Sequence, residues 1–300
     1  MYTAICYLCK STKYTKWRSI SNYDLQQCDN CGFIFVFPLP STETLKNFYE
    51  FFDYKDVPLQ EVRIRKDAVR SLSLIKNHLE KENISLLDIG CGRGYLMDEA
   101  RKLGWNTFGI DYSRNTIRYA LKNLNLKVVQ SDIGSYRTTT RYDVIVLSQF
   151  IEHVSNPNDI LKKCYLLLKN NGFLYIATPN IKSISAKVLG VGFDHLIPPE
   201  HLGYYSRKTL ERLLINNGFR ILHAGSWSYK EDLAGIIKSI IKKESNKTII
   251  KNSAIISSDK SISIKRIKYI LFDEIFCKLF YQFLNINCFG TILEVLAVKK

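Results

Sequence analysis

No apolar run in this 300-residue chain is long and clean enough to read as a membrane span. The best candidate, residues 269–286, is broken by Asp273, Glu274 and Lys278, whereas a bilayer crossing needs about 20 mainly apolar residues. No secretory signal is expected from the first residues, because Cys6, Cys9 and Lys10 stand where its continuous apolar region would run. Acidic residues are scarce beside basic ones, 28 against 43, so the formal net charge is +15. That surplus suits a phosphate-bearing small molecule or an anionic surface and does not choose between them. Hydrophobic residues make up 46%, which excludes a mostly disordered chain, and the length allows one domain with additions, or two. A cytoplasmic protein is expected.

The third glycine of a dinucleotide fingerprint is also missing. Residues 86–96 read Leu-Leu-Asp-Ile-Gly-Cys-Gly-Arg-Gly-Tyr-Leu, an apolar run, a carboxylate and three close glycines at a strand-to-helix turn. G-x-G-x-x-G would need a glycine where Tyr95 stands, but the third glycine is Gly94. Asp88, ahead of Gly90 and Gly92, would repel an approaching pyrophosphate and attract the ammonium and sulfonium of S-adenosylmethionine. Residues 105–110 form the next apolar stretch and end in Asp111, 17 residues beyond Gly94, where an ionised acid can accept from both ribose hydroxyls.

With these residues in order, the chain resembles the class I S-adenosylmethionine-dependent methyltransferases. Ser131-Asp132-Ile133 after a third strand at 127–130, a buried fourth strand at 142–147 leading into residues 148–154, and a fifth strand after Asn170-Asn171-Gly172 continue the pattern. The resemblance covers roughly 85–219 plus a last strand at 291–298, with a sixth at 219–224. It implies a doubly wound, Rossmann-like, mostly parallel seven-stranded α/β sheet with an antiparallel last strand. It also implies that Asp88, Gly90, Cys91, Gly92 and Gly94 surround the methyl donor, with the Cys91 amide facing it. Asp111 and Tyr112 would meet the ribose, Asp132 and Ile133 the adenine, and Gln149 the reacting end. Asp132 has a plainer reading as a helix cap.

Cys6-x-x-Cys9 and Cys28-x-x-Cys31, 18 residues apart, have the spacing of a four-cysteine zinc site, with a redox pair as the alternative. Four thiolates close a tetrahedral shell and leave no place for activated water, so the zinc would be structural. The remaining cysteines have no such spacing, and a reducing compartment is expected. A ribbon followed by residues 33–40 resembles zinc-ribbon methyltransferases of deoxysugar and surface-glycan biosynthesis. The expected organisation is a ribbon at 1–40, a linker with cofactor-covering helices at 41–82, and the methyltransferase domain at 83–300 with a helical insert at 227–290. A helix at 61–79 should pack on the sheet through Val62, Ala68, Val69, Leu72, Ile75 and Leu79.

Residues after the fourth and fifth strands can reach a transferred methyl group. His153 and His201 are the candidate bases, since imidazole titrates in the useful range, and Glu152 is an acid that either orients the cofactor or takes the proton. The plain reading gives both histidines bracing roles, and His78, His195 and His223 structural ones. His201 lies in a loop, 193–206, before a helix capped by Ser206. The insert is amphipathic, basic and aromatic; it is a lid, core element or homodimer face, or else a peripheral membrane contact. The leading expectation is transfer to a nucleotide-linked sugar or glycan precursor. An O-methyltransferase of quinone or lipid-like acceptors is the alternative. An RNA enzyme is disfavoured because residues 148–150, Ser-Gln-Phe, lack the Asn/Asp-Pro-Pro-aromatic signature; a non-catalytic scaffold is the last class.

Overall fold

A computed structural model describes residues 5–50, 52–53, 57–229 and 288–300. Most of the insert, and with it the lid, dimer and membrane readings, lies outside these residues.

Strands with both faces covered read as unbroken apolar runs, and the centre of the sheet follows that rule. In β4 (Ser85–Ile89) and β7 (Tyr142–Ser148) every residue except the first and last, respectively, is buried. Seven strands form one sheet in the order β10 (Phe219–Trp227), β11 (Ile292–Lys299), β8 (Leu168–Pro179), β7, β4, β5 (Asn106–Asp111), β6 (Val128–Gln130). β8, β7, β4, β5 and β6 are parallel, and β11 runs antiparallel between β8 and β10. The chain builds outward from β4 through β5 to β6, then returns to lay β7 on the other side of β4. The carboxyl ends at this reversal are where an open α/β sheet leaves a crevice for ligand. The expected turn at 170–172 is a bulge inside β8: the ladder jumps from Tyr142–Leu168 to Val144–Phe173, with Asn171 at φ 58°.

Helices cover both faces. α2 (Val57–Lys76) buries Ala68, Leu72 and Ile75 against Leu86, Val144, Val146 and Tyr175. Val62 and Val69 are about half exposed, so the helix uses the 68, 72, 75 stripe and not the full apolar set read from the sequence; a stripe spaced four and three is one helical face. Arg65 bridges to Asp98 at 2.8 Å and Glu99 at 2.6 Å on α3 (Tyr95–Lys102), fastening α2 beside the helix that leaves the glycine loop. On the opposite face α5 (Pro157–Leu167) and α7 (Arg207–Asn216) contribute Leu161, Cys164, Leu210 and Leu213. Ser206 caps α7 by accepting from the Thr209 amide, as expected.

The N-terminal strands β1 (Tyr14–Ile20), β2 (Tyr23–Cys28) and β3 (Ile34–Val36) form a small antiparallel sheet whose fourth strand is β9 (Gly203–Tyr204), from the loop that carries His201. Cys6, Leu8, Cys28, Cys31, Phe33 and Phe35 share one apolar cluster with Leu87, Ile145 and Ile176 of the large sheet. No helix among the described residues is long and apolar enough to cross a membrane.

Candidate active site

A cavity of about 780 Å³ opens over the carboxyl ends of β4, β5, β6 and β7. Its first wall is the glycine loop. Gly90 has φ 76°, and a Cβ there would stand 2.5 Å from Cδ2 of Phe150, so both backbone and space require glycine. The Gly92 amide donates to Asp111 Oδ2 at 2.8 Å, while Asp111 Oδ1 accepts from the Ser113 amide at 2.8 Å and Thr116 Oγ1 at 3.1 Å. Asp111 thus ties the loop to the start of α4 (Arg114–Leu124). The Cys91 amide does not face the cavity as expected; it donates to the Ile110 carbonyl at 3.1 Å.

Asp88 lies on the same wall, 3% exposed, and no donor of the described residues meets its carboxylate. Burial, and then the charge of Asp111, push its pKa up to about 7. A buried acid held near neutrality on a cavity wall is a poor seat for phosphate and a good one for an ammonium or sulfonium. Tyr112, Asp132, Ile133 and Gln149 also line the cavity, whereas Gly94 does not and serves as the turn into α3. Asp132 Oδ1 accepts from the Gly134 amide at 2.5 Å, so the turn-capping reading describes its present contact.

His153 belongs to the second wall; it ends the turn Ile151–His153 after β7, whose Ile151 and Glu152 are buried and do not line the cavity. The Glu152 carboxyl is buried; Oε2 accepts from Thr178 Oγ1 at 2.9 Å and Oε1 has no partner among the described residues. Burial pushes Glu152 up to about 8, so it is neutral at pH 7. His153 Nδ1 lies 2.9 Å from the Glu200 carbonyl and 3.0 Å from the Tyr49 hydroxyl, and Tyr49 itself donates to that carbonyl at 2.7 Å. This pattern assigns the proton to Nδ1 and leaves Nε2, 4.0 Å from Glu152 Oε1, with its lone pair. Burial lowers His153 to about 4, which keeps the ring neutral. The His201 ring packs edge-on against it, centroids 4.8 Å apart, and its Nδ1 is held by the His195 carbonyl at 2.8 Å.

Glu152, His153 and His201, proposed from sequence, are therefore brought together. Sequence reasoning missed Tyr49, on α1 (Thr42–Glu50), and placed His195 among structural residues, although it lines the cavity and stacks on His201. Asp67 and Tyr229, hydrogen-bonded to each other, and Arg63, 3.4 Å over the Tyr229 ring, complete the wall beside α2. None of these carries a local motif; only packing unites them.

The four N-terminal cysteines converge on the other face of the sheet, in the apolar cluster that α5 and α7 share. Cys6 and Cys31 sulfurs are 3.6 Å apart, Cys9 and Cys28 sulfurs 3.5 Å, and all four lie within 4.8 Å of one another. A tetrahedral zinc with bonds near 2.3 Å sets sulfurs ~3.8 Å apart, so the donor set and its spacing fit that ion. None of the described cysteines is in a disulfide.

Residues 63–224, more than half of the chain, match the family described as "Methyltransferase domain". The ubiquinone biosynthesis O-methyltransferase of Pelagibacter ubique is 30% identical over 148 residues, 47% of this chain and 60% of that protein. That of Bradyrhizobium diazoefficiens is 31% identical over 175 residues, 50% of this chain and 67% of that protein. The chain thus spans about 60% of the length of the first of these relatives. A Thermotoga maritima S-adenosylmethionine-dependent methyltransferase, described as a possible histamine N-methyltransferase, superposes with a TM-score of 0.53 at 13% identity, covering 86% of this chain and 99% of that one. The plantazolicin methyltransferase in complex with SAH gives 0.50 at 18% identity, covering 88% and 92%. These two likenesses concern the fold alone. The matched segment runs from α2 to β10 and takes in the glycine loop, Asp111 and the Ile151–His153 turn but not Tyr49, Phe52 or Tyr229, and on that match the chain belongs to the methyltransferase domain family.

Proposed function

We propose that the chain transfers the methyl group of S-adenosylmethionine to a hydroxyl of a quinol-like or phenolic acceptor. The observation that carries this reading is the His153 ring, held neutral with its proton on Nδ1 and Nε2 left to accept one. Methylating a hydroxyl requires removal of its proton as the bond to carbon forms, and a positioned neutral imidazole is suited to that. The bound donor supplies an electrophilic methyl group on a sulfonium. Asp88 would hold its cationic end, Asp111 its ribose, and Ile133 with Asp132 its adenine, with Gln149 and His153 on the same cavity lining. Glu152, buried and neutral beside His153, adds no charge there, and the stacked His195–His201 pair lines that side of the cavity.

The nucleotide-sugar reading drawn from the ribbon gives way to its alternative, because the curated relatives are named for ubiquinone biosynthesis. The cavity agrees with the change: Tyr49, Phe52, Ile64, Phe150 and Tyr229 give the acceptor side apolar and aromatic surface suited to a ring. Cys6, Cys9, Cys28 and Cys31 would hold a structural zinc, as their donor set and spacing fit that ion.

The test is incubation of the purified protein with methyl-labelled S-adenosylmethionine and separate pools of catechols, quinol extract, nucleotide sugars and RNA. Label entering catechol or quinol hydroxyls supports the reading. Label confined to nucleotide sugars or to RNA would sink it.

A further inference from the structure

The cysteine module and the acceptor-side histidines are joined by an unbroken set of backbone contacts. β3 begins three residues after Cys31, and the Cys28 amide donates to the Phe33 carbonyl at 2.9 Å, so the second knuckle fixes the entry to the strand. The first knuckle holds its end: the Tyr7 hydroxyl donates to the Val36 carbonyl at 2.7 Å. β3 in turn pairs with β9, Ile34 opposite Tyr204 and Phe35 opposite Gly203. The Val36 amide donates to the Leu202 carbonyl at 3.0 Å, and the Leu202 amide donates to the Glu152 carbonyl at 2.8 Å. One residue, Leu202, therefore links the module to Glu152 and is the immediate neighbour of His201.

Side chains reinforce the same route. Leu25, Ile34 and Val36 of the module share an apolar cluster with Phe193, Leu196 and Tyr204, which flank His195 and His201. The Phe33 ring packs 5.0 Å from that of Tyr205, whose hydroxyl donates to the Ile151 carbonyl at 3.4 Å. Gly203 is the tightest point: a Cβ there would stand 2.8 Å from Cζ of Phe33. Loop residues are normally the loosest part of a fold, and a histidine carried on one needs a rigid support to keep its ring within the few tenths of an ångström that catalysis tolerates.

We propose that the N-terminal cysteine module is the positioning frame of the acceptor-side histidines, with Phe33 and Val36 as positioning residues that set His201 directly and His153 through Leu202 and Glu152. The described hydrogen bonds of β3 and β9 run to the methyl-accepting half of the site, while the apolar side chains of the module also share a cluster with Ile89, Ile110 and Ile133 on the donor side. None of the described hydrogen bonds of β3 or β9 reaches the glycine loop. The functional part of the inference rests on the base role proposed for His153 and His201; the geometric part does not.

The chain has five histidines, few enough for their imidazole nitrogens to be followed singly by NMR in the intact protein loaded with S-adenosylhomocysteine. Gly203→Ala should shift the ring signals of His153 and His201, leave those of His78 and His223 in place, and keep S-adenosylhomocysteine affinity within about twofold. Phe33→Leu, which deletes the Cζ contact without adding bulk, should move the same two signals. The double variant should bring both back towards their original positions, and transfer to catechol, reduced on the order of tenfold in the single variants, should recover with them. Unmoved His153 and His201 signals in the folded single variants would overturn the proposal, as would failure of the double variant to restore them. Signals that move while the transfer rate does not would remove the base role and leave the frame standing.

Discussion

The Asp111 carboxylate and the Gly92 amide are joined by a 2.8 Å hydrogen bond across 19 residues of sequence. The bond closes the glycine loop onto the tip of β5. Asp111→Ala leaves the buried Gly92 and Ser113 amides without their acceptor, a cost of about 1–3 kcal/mol each for a fully buried donor. Calorimetric titration with S-adenosylhomocysteine should show at least a tenfold loss of affinity in the folded variant. Unchanged affinity would contradict the loop assignment.

Gly90→Ala combines a left-handed backbone with a Cβ set against Phe150. Strain and overpacking together should cost about 2–4 kcal/mol, read as a fall in the urea midpoint. Phe150→Ala in the same chain relieves the contact but not the backbone, so only part of the loss should return. Full recovery would show that φ is not limiting.

His153→Asn removes the candidate base and, with the ring, its contacts to Tyr49 and His201, while an amide can still donate to the Glu200 carbonyl. Turnover with the accepted phenol should fall by about 10²–10⁴ while S-adenosylhomocysteine affinity holds. Because burial lowers His153 to about 4, the acid limb of the wild-type rate profile belongs well below the usual histidine range. A limb near pH 6.5 that vanishes in the variant would mean that the ring is more solvated than its surroundings indicate.

Folded Glu152 keeps its proton up to about pH 8, whereas an unfolded glutamate releases it near pH ~4.3. Between these values the folded state binds the extra proton, so this contribution to stability is present at low pH and lost as pH rises. Urea midpoints should fall from pH 5.5 to 7.5, by up to roughly 1 kcal/mol per unit in stability from this group. Glu152→Gln should flatten that slope; parallel slopes would show that the carboxyl is ionised in the fold.

The parts of this site that are contiguous in the chain are the parts the sequence makes legible. Asp88 to Gly94 is one turn, and glycine spacing there reflects local backbone demands that survive in any context. The two C-x-x-C knuckles are likewise short-range, and so is the Ser206 cap. What stayed hidden is what distance in the chain conceals. Tyr49 meets His153 across 104 residues, and β9 joins β3 from more than 160 residues away through a two-residue pairing that no periodicity announces. Val62 and Val69 fit the helical spacing yet are exposed, because that spacing shows a stripe without saying which stripe the sheet will take. The Cys91 amide failed expectation for a related reason: a carbonyl on the neighbouring strand competes for it, and a single segment cannot show its neighbour.

The central claim is that an acid-led loop receives a cationic methyl donor, and Asp88 tests it most directly. Its pKa, held up at about 7 in the free protein, must fall when an ammonium binds beside it. Calorimetric titration with S-adenosylhomocysteine from pH 5.5 to 7.5 should therefore show affinity rising with pH in the wild type, approaching tenfold per unit at the acid end. Asp88→Asn should bind more weakly at pH 7.5 and show no such dependence. A flat wild-type profile, or one that the variant reproduces, would contradict the account.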